Sequence, residues 1–230
     1  MSTFRGTARL IYFDIYAIAK IMWLVTLLIA VGWVILGLAF DLSGFETTIA
    51  GPLYVGLFVV YPILAVSTSF RYATGFGSTR VQFLKVFYLS GVVMVIANVV
   101  LFNLLYRVLD ALTANGILGF GFMHTADMTS YDSLLAYVWI DLMAGLFLFG
   151  ISFLIASIWF RFGFIRFLVG STAIGFIFYF LHVTGGLKTF YEWTLTLSGL
   201  TGFTLLGGIG SILLLATFPV MRHAPLKENT

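Results

Sequence analysis

Residues 21–40 read IMWLVTLLIAVGWVILGLAF, twenty positions without a charged side chain, and their length decides the fold. Twenty helical residues rise about 30 Å, the thickness of a bilayer's hydrocarbon core. A membrane β-strand needs only about ten residues and alternates apolar with polar positions, whereas this run is continuous. The stretch is therefore a spanning helix, which satisfies its backbone N–H and C=O groups internally.

Working outward, comparable apolar runs cover about 51–70, 81–106, 133–160, 165–182 and 197–220. The whole chain agrees: 61% of its 230 residues are hydrophobic and 9% are charged, against about 25% charged in a soluble domain. The expectation is an all-α integral membrane protein with one membrane domain over 1–230 and no soluble catalytic domain. The chain has no cysteine, which excludes disulfides and thiolate ligands. Its formal charge of +3 does not indicate nucleic acid, because the cations sit at helix ends. The N-terminus, MSTFRGTARLIYFDIY, lacks the short apolar core and small-residue cleavage site of a signal peptide.

Those cations set the orientation. Arg5, Arg9 and Lys20 precede span one; Arg71, Arg80 and Lys85 lie between spans two and three; Arg161 and Arg166 between four and five; Arg222 and Lys227 follow span six. Arg107 and Lys188 alone fall on the other side. The cation-rich side is cytoplasmic by the positive-inside rule, which predicts six spans with both termini inside. Ahead of span one, Arg5, Arg9, Tyr12, Tyr16 and Lys20 recur at three- and four-residue steps. That stripe, opposite an aliphatic face, predicts an N-terminal helix lying in the membrane interface. Asp14 fits neither that helix nor an early start of span one.

Within the spans, Pro62 predicts a kink in the second. Asp141 lies about two turns inside the fourth, and a carboxylate there faces a partner or a cavity. It is a candidate for a substrate path together with Asn98 and Asn103 of span three, for which interhelical hydrogen bonding is the alternative role. Gly199, Gly202, Gly207, Gly208 and Gly210 give span six a small-residue face for close helix packing, with Gly202, Gly207 and Gly208 as its candidate packing positions. The longest connector, Arg107 to Asp132, carries Asp110, His124 and Asp127. His124, His182 and His223 are far apart, and no HExxH, Ser/His/Asp or Walker pattern occurs. The chain is thus read as no enzyme, with no metal and no cofactor.

One internal stretch gathers three cations: residues 70–85, FRYATGFGSTRVQFLK. Gly75 and Gly77 permit a sharp turn, and Ser78 or Thr79 can cap the next helix. A short helix ending at the glycines would present Phe70, Tyr72 and Phe76 with Arg71 and Arg80 around them. Large aromatics among cations suit a protein interface; headgroup anchoring is the plainer reading.

This turn, with six spans and a helix ahead of them, resembles the membrane (permease) subunit of small bacterial ABC exporters of drugs, antimicrobial peptides and lipids or polysaccharides. Many of these carry an aromatic, a small residue and Gly-x-Ser/Thr-Arg-x-x-Phe here, matched by Phe70, Ala73, Gly77, Ser78, Thr79, Arg80 and Phe83. The resemblance implies a separate cytoplasmic ATPase subunit that receives this coupling helix at Phe70, Arg71, Tyr72, Phe76, Ser78 and Arg80. It also implies a second permease subunit, identical or different, and a hairpin dipping into the membrane between spans five and six. An amphipathic or lipophilic substrate and the bacterial plasma membrane belong to the same implication. Two other classes stay open: the substrate-capture subunit of a vitamin importer, and a membrane assembly or immunity factor without transport.

Overall fold

The computed structural model describes residues 3–40, 42, 44–129, 131, 133–195 and 197–224. Asp41, Asp132 and Lys227, and the side chains of Phe190, Tyr191 and Trp193, lie outside the described residues. Among those described, six helices are long and apolar enough to cross a membrane: Phe4–Ala39, Pro52–Gly75, Arg80–Ala114, Leu134–Phe162, Phe164–Val183 and Gly199–Arg222. The all-α membrane architecture expected from run length is thus observed.

Helix α1 (Thr3–Ala39) is unbroken over 37 residues, about 55 Å at 1.5 Å per residue. The separate interfacial helix expected over 5–20 is therefore corrected: it is the first half of α1. Thr7, Ile11, Asp14, Ile18, Met22, Thr26 and Ala30 turn away from solvent at three- and four-residue steps. One continuous inward face with no proline has no reason to bend. Arg5, Arg9, Tyr12, Tyr16 and Lys20 do form an exposed stripe, and Asp14 gains a purpose: it accepts a hydrogen bond from Ser69 Oγ at 2.6 Å.

The second span has three pieces. Residues Pro52–Val60 wind as a π-helix, α2 covers Tyr61–Ser67 and α3 covers Ser69–Gly75. Pro62 sits at the start of α2, where its missing N–H is tolerated after the wide turns before it. Between α2 and α3, the hydroxyls of Ser67 and Thr68 both donate to the Leu64 carbonyl, at 3.0 and 2.7 Å. This competition with the backbone ladder marks the break. Gly77, at φ +86°, then reverses the chain as only glycine does easily. Helix α4 (Arg80–Ala114) opens on a capping box: Thr79 Oγ1 accepts from Gln82 N–H at 3.2 Å, and Gln82 Oε1 from Thr79 N–H at 3.1 Å.

Helix α5 (Leu134–Phe162) is the central post, with α2, α4 and α8 (Gly199–Arg222) packed on it. Its contact with α8 is backbone to backbone. A Cβ on Gly210 would lie 2.6 Å from the Leu146 carbonyl oxygen, one on Gly207 2.9 Å from Met143 Cα, and Gly150 abuts the Gly210 carbonyl. Gly202 and Gly208 face open space, so of the expected small-residue face it is Gly207 and Gly210 that pack on α5. At one end of the bundle, Arg161 Nη1 donates to the carbonyls of Pro219 and Val220 at 3.0 and 3.2 Å, and Arg80 Nη1 to that of Arg222 at 3.3 Å. These are the last carbonyls of α8, orphaned by the helix end and at its negative pole. The cation-bearing ends of α3, α4, α5 and α8 therefore meet.

Helix α6 (Phe164–Val183) follows a turn at Gly163, and none of its residues is buried. A turn at Thr184–Gly185 leads to α7 (Gly186–Leu195), whose packing is against α6.

The predicted orientation is testable at this basic end. Ser78 is buried and makes a poor labelling position, while Phe76 is 80% exposed. Phe76→Cys, in a chain with no other cysteine, is expected to react with an impermeant maleimide only after cells are opened. Labelling in intact cells would invert the topology.

Candidate functional site

Two places bring together residues that the sequence analysis singled out. The first is inside the bundle, at the end opposite the basic turns. The wide π-turns after Pro52 point Tyr54 toward α5, and its O–H donates to Asp141 Oδ1 at 2.6 Å. From α4, Asn103 Nδ2 donates to Asp141 Oδ2 at 2.7 Å. The third partner comes from the long connector. There β1 (Glu46–Thr47) and β2 (Gly121–Phe122) pair in parallel, and a 3₁₀ turn at Thr125–Met128 follows. That turn is locked by its own side chains: His124 Nδ1 accepts from Ala126 N–H at 3.0 Å, and Asp127 Oδ2 from His124 N–H at 2.6 Å.

His124 is thereby driven into the bundle. Its ring lies 4.5 Å from Tyr106, 4.6 Å from Tyr137 and 5.7 Å from Phe102, centroid to centroid. Nε2 comes 3.0 Å from Asp141 Oδ2, outside hydrogen-bond geometry. Because Nδ1 is an acceptor, a neutral ring carries its proton on Nε2. The imidazole thus presents a dipole to a carboxylate whose side chain is 0% exposed. Asp127 in turn accepts from Tyr137 O–H at 2.7 Å, and Arg107 lies 5.1 Å over the Tyr137 ring.

In low dielectric a carboxylate is held only by converging donors. Here the donors come from the π-helix and α4, and the His124 ring edge brings the long connector against the same carboxylate. Asn98 is elsewhere: it accepts from Trp23 Nε1 at 2.7 Å and ties α1 to α4. Asn98 and Asp141 are thus not brought together. A cavity of about 390 Å³ beside the strands is lined by Glu46, Gly121, Phe122, Met123 and Asp127, and stops short of Asp141. Sequence reasoning missed His124 and Tyr54. A signal existed only for a partner, since an intramembrane aspartate needs one; nothing marked which histidine or tyrosine supplies it.

The second place is the basic turn. Phe70 is 0% exposed, packed 5.2 Å from Phe83 and 5.6 Å from Phe160, so its expected surface role is corrected: it anchors α3 to the core. Ser78 is buried, and Arg80 caps α8. Tyr72 and Phe76 project, at 61% and 80% exposure, with the Arg71 guanidinium 5.3 Å over Phe160 beside them. Burial of Phe70 and Ala73 on one side of α3 is what forces Tyr72 and Phe76 to the other.

Family models, curated proteins and solved structures were all searched with this chain, and none matches.

Proposed function

We propose that this chain is the transmembrane permease subunit of an ATP-driven exporter of the ABC type, oriented with both termini in the cytoplasm. The observation that carries the reading is the outward projection of Tyr72 and Phe76 from a short helix at the basic end. Two large aromatics exposed next to cations, on a helix pinned from behind by Phe70, offer a knob for a partner's groove. Six spanning helices without a nucleotide-binding motif leave energy input to a separate cytoplasmic ATPase, which grips that knob. A second permease subunit completes the pathway, and its substrate is amphipathic or lipophilic.

The test is copurification of an ATPase with the tagged chain. Truncating an interface anchor costs about 2 kcal/mol, about thirtyfold in affinity. Phe76→Ala and Tyr72→Ala are each expected to lose the ATPase on washing while keeping the wild-type melting temperature. Arg107→Gln, at the opposite end, is expected to retain it. Undiminished ATPase in both aromatic variants would leave these side chains as headgroup anchors and end the exporter reading of this turn.

A further inference from the structure

A second cavity, about 390 Å³, opens at the basic end between α2–α3 and α5–α6. Its lining changes character along its length. Arg71, Arg161 and Phe164 line it at the basic end with Trp159 and Phe160, while Ile63 and the buried Val66 and Ala156 line it further along α2 and α5. Ile63 precedes Arg71 by eight residues across the break between α2 and α3, and Ala156 precedes Arg161 by five along α5, about 7 Å further from the basic end. The described lining thus runs from two guanidinium groups to aliphatic walls.

Both guanidiniums are held in place. Arg71 lies 5.3 Å over Phe160; Arg161 lies 5.1 Å over Phe162 and has Nη1 bound to the end of α8. Cations fixed by stacking lose little further entropy when an anion arrives, and a guanidinium fork matches phosphate oxygens. Gly163 supplies one edge of the opening without a side chain, and α6 beside it is exposed along its length. The volume is at the small end of ligand pockets, about 300–1,000 Å³. It accommodates a headgroup and the start of a chain, with the remainder lying along α6.

We propose that this cavity binds an anionic phospholipid, its phosphate between Arg71 and Arg161 and an acyl chain toward Ile63 and Ala156. A free phosphate would use the basic end and leave the aliphatic walls without a function; the polarity gradient fits one amphiphile spanning both.

The experiment is native mass spectrometry of the detergent-purified chain titrated with phosphatidylglycerol or phosphatidylcholine. A basic residue near the membrane surface favours an anionic lipid by about fivefold, and phosphatidylglycerol is expected to exceed phosphatidylcholine by at least that. Arg71→Gln is expected to remove the preference. Ser67→Trp, at an exposed lining position, is expected to fill the cavity and lower retention of bound lipid without disturbing the fold. Lys85→Gln removes an exposed cation of the same end that does not line the cavity, and is expected to bind as wild type. Equal retention of both lipids, full binding by Ser67→Trp, or an equal loss in Lys85→Gln would overturn the proposal. So would displacement of the lipid by inorganic phosphate alone. The readout is lipid on the isolated chain, so its failure leaves the ATPase association result intact.

Discussion

Asp141→Leu is expected to lower the stability of the purified protein by about 3 kcal/mol, about 10 °C in melting temperature for a chain of this size. The loss is large because three groups converge on one carboxylate: Tyr54 O–H, Asn103 N–H and the His124 ring edge. Deleting the acceptor orphans buried donors at about 1–3 kcal/mol each. Two effects oppose this. A buried charge is removed, which relieves desolvation, and single interhelical bonds in membranes average only about 0.6 kcal/mol. With two donors left behind on separate elements and the His124 ring edge facing the gap, the orphaning outweighs both. Asp141→Asn keeps an acceptor for Tyr54 but turns an N–H toward Asn103 and His124, so about half the loss is expected.

The same network predicts where the damage spreads. His124→Ala leaves α5 and α4 folded but releases the connector, so amide exchange should rise at 117–128 and stay unchanged in the aromatic ladder of Phe83, Phe87 and Phe153. In that ladder, ring centroids are 5.7 and 4.3 Å apart, and no atom of it depends on His124. A wild-type melt for Asp141→Leu, or unchanged exchange in His124→Ala, would mean that the connector is held by other contacts.

Gly210→Leu carries the other large effect. Helices α5 and α8 meet at Gly150 and Gly210 with backbone against backbone, and a Cβ at 210 points at the Leu146 carbonyl and the Phe147 backbone. Neither can move aside as a side chain would. The helices must separate, which forfeits the dispersion contacts that hold membrane helices together. Overpacking of this kind costs about 3 kcal/mol, and little folded protein is expected. Gly208→Leu, two residues away and facing open space, should change stability by less than about 0.5 kcal/mol. The contrast between neighbours on one helix is the measurement; equal yields and equal melting temperatures would show that α8 does not pack on α5 as described.

Six membrane-length helices were legible from residues 21–40 outward because the cost of placing charge or unpaired backbone in hydrocarbon is paid locally, residue by residue. It can be summed along a one-dimensional string. The turn after α3 was legible for a similar reason: Gly77 and the Thr79–Gln82 capping box act within a few positions. The continuity of α1 was less so, because the exposed stripe of Arg5 to Lys20 suggested a boundary that the inward face from Thr7 to Ala30 does not contain.

Partnership was not legible. Phe70 and Phe76 are the same residue type six positions apart, yet one is buried against Phe83 and Phe160 and the other stands in the open. Gly207 and Gly208 are adjacent, yet one touches Met143 and the other nothing. Asp14 met Ser69 across 55 positions and Asp141 met Tyr54 across 87. Helical periodicity says which residues share a face; it does not say which helix stands opposite, or at what height. Only the tertiary packing brings those faces into register, and a hydrogen bond or a backbone contact exists at a register fixed to within a fraction of an ångström.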